Sequence, residues 1–328
     1  MNAFGKDTTT DDVLAGIDLS GRRVVITGAA GGLGRESARA MASRGALVTV
    51  AARGPQRADD AVAELRKLVP DGQFDAGVVD LGDFSSIRAF TDTVLAEHDR
   101  IDVLINNAGV MACPFGRTVD GFETQFGTNH LGHFLLTARL APALLRGASP
   151  RVVTLSSAGH SRADVDLVDP NFATTPYNAW IAYGRSKTAN ALFARELARR
   201  AGPAGLLSFS VHPGAIVTEL GRHLTEELLI EVIADTQRRA EAAAKTEGRA
   251  EPEELHFKTV EAGAATQVWA ATAAELADHN GAYLADCGLG VLGANPGVNG
   301  MLPYLLDDEK AAALWTYSEE LIGEPFAV

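Results

Sequence analysis

The chain has 328 residues, 46% of them apolar, and 29 basic against 42 acidic side chains give it a net charge of −13. At this length such an apolar share supports a substantial core, and the acidic balance leaves no basic footprint for a phosphate backbone or an anionic lipid surface, so neither nucleic acid nor a membrane is expected as a partner. The opening stretch MNAFGKDTTTDDVLAG has no basic patch leading into an apolar run, and Cys113 and Cys287 are the only cysteines. A soluble, cytoplasmic protein without a disulfide framework is the expectation.

Short β-branched runs alternate with longer amphipathic stretches, the pattern of a parallel sheet covered on both faces. The first strand is expected at 23–27 (RVVIT), and it leads straight into TGAAGGLG, residues 27–34. Gly28, Gly32 and Gly34 let the backbone turn tightly beside a pyrophosphate, and a helix beginning near Gly34 would offer its free N–H groups to it. A tight strand-to-helix turn without a ligand is the plain alternative, because a lone glycine fingerprint is a weak signal. The second strand, 47–51, runs into AARG, where an NAD-binding unit would carry an Asp or Glu for the ribose 2′-hydroxyl. Arg53 stands near that place and favours NADP(H) over NAD(H), with Arg35 as a second positive charge.

Helices are expected at 58–68 and 84–97, and further strands at 74–79, 103–106, 151–155, 207–211 and 282–284. Seven strands of one doubly wound α/β sheet result. Between 179 and 194 a helix-like segment carries Tyr183 and Lys187 four positions apart, so both polar heads emerge on one face. An amphipathic helix with snorkelling ends would read the same way in isolation. Residues 219–257 are too polar for core and too helical for a linker, so they are expected to form a helical excursion, and residues 302–328 a C-terminal extension.

Several other patterns do not mature into sites. His130 and His133 have helical metal-ligand spacing without a third ligand nearby, so no metal is expected. Asp164, Asp166 and Asp169 lack the glycine and closing glutamate of a calcium loop. In LSSAG, Leu155 occupies the place of a hydrolase elbow's first glycine.

TGAAGGLG, Asp80-Leu81, NNAG at 106–109, Asn129 in TNHLGHF, Ser156-Ser157, YGRSK at 183–187 and HPG at 212–214 together resemble the short-chain dehydrogenase/reductase family over about residues 20–290. Within it the chain is most similar to the retinol-dehydrogenase-like reductases, which share NHLGHF, HPG, the Ser156 to His160 form SSxxH and a long insert before the tyrosine. No N-terminal apolar anchor like that of the group's membrane-bound members is expected from the opening stretch. The resemblance implies a single Rossmann-type domain over 1–328, with the 219–257 insert over the substrate site.

It also implies roles. Tyr183 would be the acid/base, since hydride transfer at a carbonyl leaves charge on oxygen that a proton must meet. Lys187 would favour the phenolate and bond the nicotinamide ribose, Ser157 rather than Ser156 would hold the substrate oxygen, and Asn129 would retain a water in a proton relay. Gly28, Gly32, Leu33, Gly34, Arg53, Asp80, Leu81, Asn107, Ala108, Gly109, Tyr183, Lys187, Pro213, Gly214, Ile216 and Thr218 would contact the cofactor. Asn106 and Asn107 equally suit a strand-tying role, and His212 a packing one. Met111, Phe115, Phe172, Tyr177, Trp180 and Leu220 are expected along the walls of a pocket for a bulky apolar carbonyl or alcohol. A homodimer or homotetramer is implied. Two rivals stay open: an NADP(H)-binding sensor or assembly protein that turns nothing over, and a C=C reductase with the same Tyr-x-x-x-Lys spacing.

Overall fold

The computed structural model describes residues 4–248, 250–252 and 256–328. One sheet organises them, in the order β3-β2-β1-β4-β5-β6-β7-β8. Its strands are β1 (Arg23–Thr27), β2 (Leu47–Ala52), β3 (Gln73–Val78), β4 (Val103–Asn106), β5 (Arg151–Leu155), β6 (Leu207–His212), β7 (Tyr283–Ala285) and β8 (Gly288–Leu289). Every neighbouring pair is parallel except β7 with β8. Thus the doubly wound Rossmann architecture holds, with eight strands where seven were expected. The added strand is two residues long, too short to leave a periodic trace. It folds back through Asp286 and Cys287, both with φ near +50° (51° and 52°), as a two-residue hairpin of primed type requires.

The helices are α1 (Thr10–Val13), α2 (Gly32–Ala42), α3 (Pro55–Leu68), α4 (Phe84–Glu97), α5 (Thr124–Phe126), α6 (Gly132–Leu144), α7 (Ala179–Ala201), α8 (Glu226–Glu247), α9 (Val260–Thr272) and α10 (Asp308–Ile322). Their starts follow local chemistry. Pro55 opens α3, where its missing N–H costs nothing, and the Asp83 and Asn178 carboxylate and amide oxygens accept from the first N–H groups of α4 and α7. Between α5 and α6 the helix widens to a π-turn at Gly127–Leu131.

Alternate residues of each strand feed two cores. Val24, Ile26, Val48 and Val50 pack with Met41, Leu65, Val268 and Trp269 on the face covered by α2, α3 and α9. Val25, Leu104 and Val152 pack with Ile87, Phe134, Leu192 and Trp315 on the face covered by α4, α6, α7 and α10. The C-terminal extension is therefore part of the second core. Its Trp315 is 1% exposed, with ring centroids 5.1 Å from Phe134 and 4.4 Å from Phe326, so it anchors within this core. Strand order reverses between β1 and β4, and their carboxyl ends leave the crevice where doubly wound folds bind ligands.

Candidate active site

At the end of β1 the backbone turns through Gly28, whose φ of +66° suits glycine and whose Cβ would lie 3.0 Å from Ala108 Cα. A Cβ on Gly34 would lie 2.6 Å from the Gly28 carbonyl oxygen, so the turn closes tightly on itself. Helix α2 starts at Gly32, two residues before the expected place, and its N-cap Gly31 supplies no side-chain bond to the first N–H groups. Those donors and the positive end of the helix remain for an anion. Thr218 packs against the same turn, 3.5 Å from where a Gly32 Cβ would be, while Ile216 and Leu33 meet over Gly263. An open groove lined by Ala30, Gln56, Arg57, Asp60, Glu64 and Glu219 adjoins the turn. This glycine-lined cradle fits the pyrophosphate and adenosine half of a dinucleotide.

Arg53 follows β2 directly and is exposed, with no ion pair among the described residues. Arg35 is not free in the same way, because it pairs with Glu64 at 2.7 Å, and Arg57 pairs with Glu219 at 2.6 Å. Asp80 is exposed and accepts from Gly82 N, while Leu81 is buried. Both asparagines of NNAG tie strands. Asn106 Nδ2 donates to Thr137 Oγ1 and Thr154 Oγ1, and Asn107 donates through Nδ2 to Thr27 O at 2.8 Å and through its backbone N–H to Thr27 Oγ1 at 3.0 Å.

Four candidate catalytic residues converge where β4 and β5 end. A Cβ on Gly109 would lie 3.1 Å from Asn129 Oδ1 and 3.7 Å from Lys187 Nζ. Lys187 Nζ donates to Leu155 O at 2.9 Å and lies 5.7 Å from the centroid of the Tyr183 ring. The two serines divide. Ser156 is buried and donates to Lys187 O at 2.8 Å, whereas Ser157 is half-buried, caps the 3₁₀ turn Ala158–Arg162 and interacts with the Tyr183 phenol. Asn129 sits in the π-turn. Its amide donates to Val110 O and Ser186 Oγ, both at 2.9 Å, and its oxygen accepts from Val110 N, so both of its N–H donors are committed to neighbours.

The charge states differ from the simple expectation. Burial pushes the Tyr183 phenol up to about 12, with the Ser157 hydrogen bond pulling against it. Burial also drives the Lys187 ammonium down to about 7, and its hydrogen-bond partner is the uncharged Leu155 carbonyl. Removal from water disfavours both charged forms, and it outweighs the attraction between ammonium and phenolate.

The excursion packs on the cluster that contains Tyr183. Leu224, Leu228 and Val232 pack on the cluster of Ala112, Trp180 and Tyr183, together with Met111 and Ala179, and Tyr183 is left 3% exposed. Trp180 Nε1 donates to Leu228 O at 3.3 Å. The Arg162 guanidinium lies 4.8 Å from the Trp180 centroid and 3.1 Å from Asp235. Of the expected wall residues, Met111 and Trp180 belong to this cluster, while Phe115 and Phe172 pack on Tyr177 at centroid distances of 5.2 and 5.1 Å.

Sequence reasoning missed the residues that hold this arrangement. His133 was weighed only as a metal ligand, yet its Nδ1 donates to the Asn129 carbonyl at 3.0 Å and its Nε2 accepts from Thr27 Oγ1 at 2.9 Å. It ties the π-turn to the glycine strand, and no group of metal-ligating side chains occurs among the described residues. His212 fits its packing role, with Nδ1 accepting from Ala158 N at 3.2 Å.

Known proteins agree with this picture. A short chain dehydrogenase family model matches residues 22–229. Retinol dehydrogenase 12 of Mus musculus is 40% identical over 271 residues, 83% of this chain and 79% of the relative. A crystal structure of an uncharacterized Mycobacterium paratuberculosis protein is 34% identical, with a TM-score of 0.73 over 98% of this chain and 100% of that one. A Pseudomonas aeruginosa RhlG/NADP complex is 25% identical, with a TM-score of 0.57 over 81% of this chain and 95% of that one. With the motifs gathered at one crevice, the chain belongs to the short chain dehydrogenase family and is an oxidoreductase acting on CH–OH or C=O groups.

Proposed function

We propose that the protein is an NADP(H)-preferring carbonyl reductase or alcohol dehydrogenase for bulky apolar small molecules, with Tyr183 as acid/base. The observation that carries this reading is the meeting of Asn129, Ser157, Tyr183 and Lys187 beside Gly109, beneath an apolar cover and next to the glycine turn. A bound nicotinamide supplies or accepts the hydride. This chain's own residues handle the proton and the charge. Ser157 offers its hydroxyl to the reacting oxygen, which holds that oxygen near the Tyr183 Oη–H and stabilises charge as it develops. Tyr183 then transfers its proton to that oxygen. With its pKa raised to about 12, Tyr183 stays protonated at neutral pH, which is the form that reduction uses. Lys187 stands nearby as a proton source for restoring the Tyr183 phenol, because its depressed pKa of about 7 lets its ammonium release a proton near neutrality.

Exposed Arg53 in place of a carboxylate after β2 supports the phosphorylated cofactor, and the NADP in the RhlG relative is consistent with that. Met111, Ala112, Trp180, Leu224, Leu228 and Val232 favour an apolar substrate. We read the chain as one Rossmann-type domain in which the described part of 219–257 covers the substrate site and 302–328 extends the core; residues 1–3, 249 and 253–255 lie outside the described residues.

The test is purified protein with NADPH and a panel of ketones and aldehydes, followed by loss of the reduced-cofactor absorbance. Tyr183→Phe is expected to lower turnover at least about 100-fold. An unchanged rate overturns the assignment of Tyr183, and cofactor binding without turnover over the panel points to a binding protein instead. Arg53→Ala is expected to lower the NADPH over NADH ratio of kcat/KM about tenfold.

A further inference from the structure

The 3₁₀ turn Ala158–Arg162 begins at the catalytic serine and packs against the ring of the catalytic phenol. Ser157 caps it by accepting from Gly159 N at 3.0 Å, and Gly159 lies so near the Tyr183 ring that a Cβ there would come within 2.6 Å of Cε1. The position of the Ser157 hydroxyl relative to Tyr183 therefore depends on how this one turn is held.

His160 holds it. Its Nδ1 lies 2.7 Å from the Ser157 carbonyl oxygen. A carbonyl only accepts, so Nδ1 carries the proton and Nε2 is the bare nitrogen. The ring is fully buried, and Nε2 has no partner among the described residues. A buried imidazole that leaves one nitrogen unpaired is costly as mere filler. Its surroundings lock it in place. The Tyr283 ring packs edge-on at 5.3 Å with its hydroxyl 3.4 Å from Nδ1, and Tyr304 Oη donates to the His160 carbonyl at 2.6 Å. Beside it His212 Nδ1 accepts from Ala158 N, so the turn is gripped at the serine's carbonyl and at the following N–H. Burial keeps the ring neutral, with a pKa near 4, which preserves a single donor toward Ser157 across the working pH range.

The geometry points to His160 as a positioning residue for the reaction: by holding the Ser157 carbonyl it sets the turn from which the Ser157 hydroxyl meets the reacting oxygen beside Tyr183. This rests on the proposed carbonyl chemistry. It also gives the strand β7 and the C-terminal extension, which supply Tyr283 and Tyr304, a part in the active site.

A double-mutant cycle tests it. His160→Ala is expected to lower kcat about tenfold or more in the otherwise native chain, with the cofactor Kd unchanged, and less than about twofold in a Ser157→Ala background. His160→Asn keeps an N–H donor close to the place of Nδ1 and is expected to recover kcat to within about threefold of the parent. Equal factors in the two backgrounds, or no recovery by asparagine, overturn the proposal. A second readout needs no turnover: the ¹³Cζ resonance of Tyr183, assigned with Tyr183→Phe, should move in His160→Ala as it does in Ser157→Ala and return in His160→Asn. If the parent protein reduces no carbonyl, the functional reading fails on that result alone. An unmoved Tyr183 resonance in a folded His160→Ala protein defeats the positioning role itself.

Discussion

Helices α7 and α8 are almost equal in length, 23 and 22 residues, yet they are held in opposite ways. Helix α7 is buried along most of its length, from Trp180 to Ala201, with Phe193 wedged among Phe134, Trp315 and Phe326. Helix α8 rests on the site through Leu228 and Val232, buries only Ala240 and Ala244 among its described residues, and turns Leu229, Ile230 and Ile233 outward. Polar ties from Arg162 to Asp235 and from Arg239 to Ser161 O join it to the serine turn. The helix that carries the proposed acid/base is thus fixed by core packing, and the helix that rests on its cluster is held by fewer buried contacts. Precision at the reacting groups and access to them are assigned to different elements.

The sharpest way to break this contrast is to cut into each helix and compare. Phe193→Ala removes a ring from the most crowded part of α7 and is expected to cost about 3–5 kcal/mol, read as a lowered urea midpoint. If the loss were below about 1 kcal/mol, α7 would not be the fixed element described here.

Acid should act next, through the histidines packed around α6, α7 and the serine turn. Burial holds His130 and His212 near 3 and His133 and His160 near 4, below the ordinary 6.5. Below pH 6.5 the unfolded chain takes up protons that these rings refuse, so their contribution is absent above pH 6.5 and stability is lost as pH falls from there toward 4. The urea midpoint is expected to drop steadily across that window, and His130→Asn should flatten the slope. A level midpoint between pH 7 and 5 contradicts the neutral, buried assignment.

Smaller effects belong to α8. Leu228→Ala is expected to cost about 1 kcal/mol or less of stability while raising KM for an apolar ketone several-fold, with kcat little changed. A fall in kcat with unchanged KM would place Leu228 in the catalytic geometry rather than the cover. Ile230→Ser, on the outward face, should stay within about 0.5 kcal/mol of the parent. Limited proteolysis should cut within residues 226–247 before it cuts within 179–201, and the reverse order would undo the comparison.

Much of this molecule is legible along the chain because its signals are local. β-Branched runs mark the strands, TGAAGGLG marks the turn, and Tyr183 and Lys187 share a helical face by spacing alone. The hairpin strand Gly288–Leu289 left no trace because two residues carry no period. His133 looked like half of a metal site, and only folding showed that its partners are Thr27 and Asn129. Nothing near Trp315 in the chain says that it will pack on Phe134, which lies far back along the sequence.

The sequence by itself determined the order of elements, the phosphate-suited turn and the catalytic residue types, since propensity, turn chemistry and helical spacing act over a few neighbouring positions. The tertiary structure alone decided the protonation of those residues: the Tyr183 phenol is raised and the Lys187 ammonium lowered because folding buries each of them, with groups as remote as Leu228 and Val232 packed on the Tyr183 cluster. Desolvation depends on every atom packed near a group, whatever its distance along the chain, and so it exists only once the chain has folded.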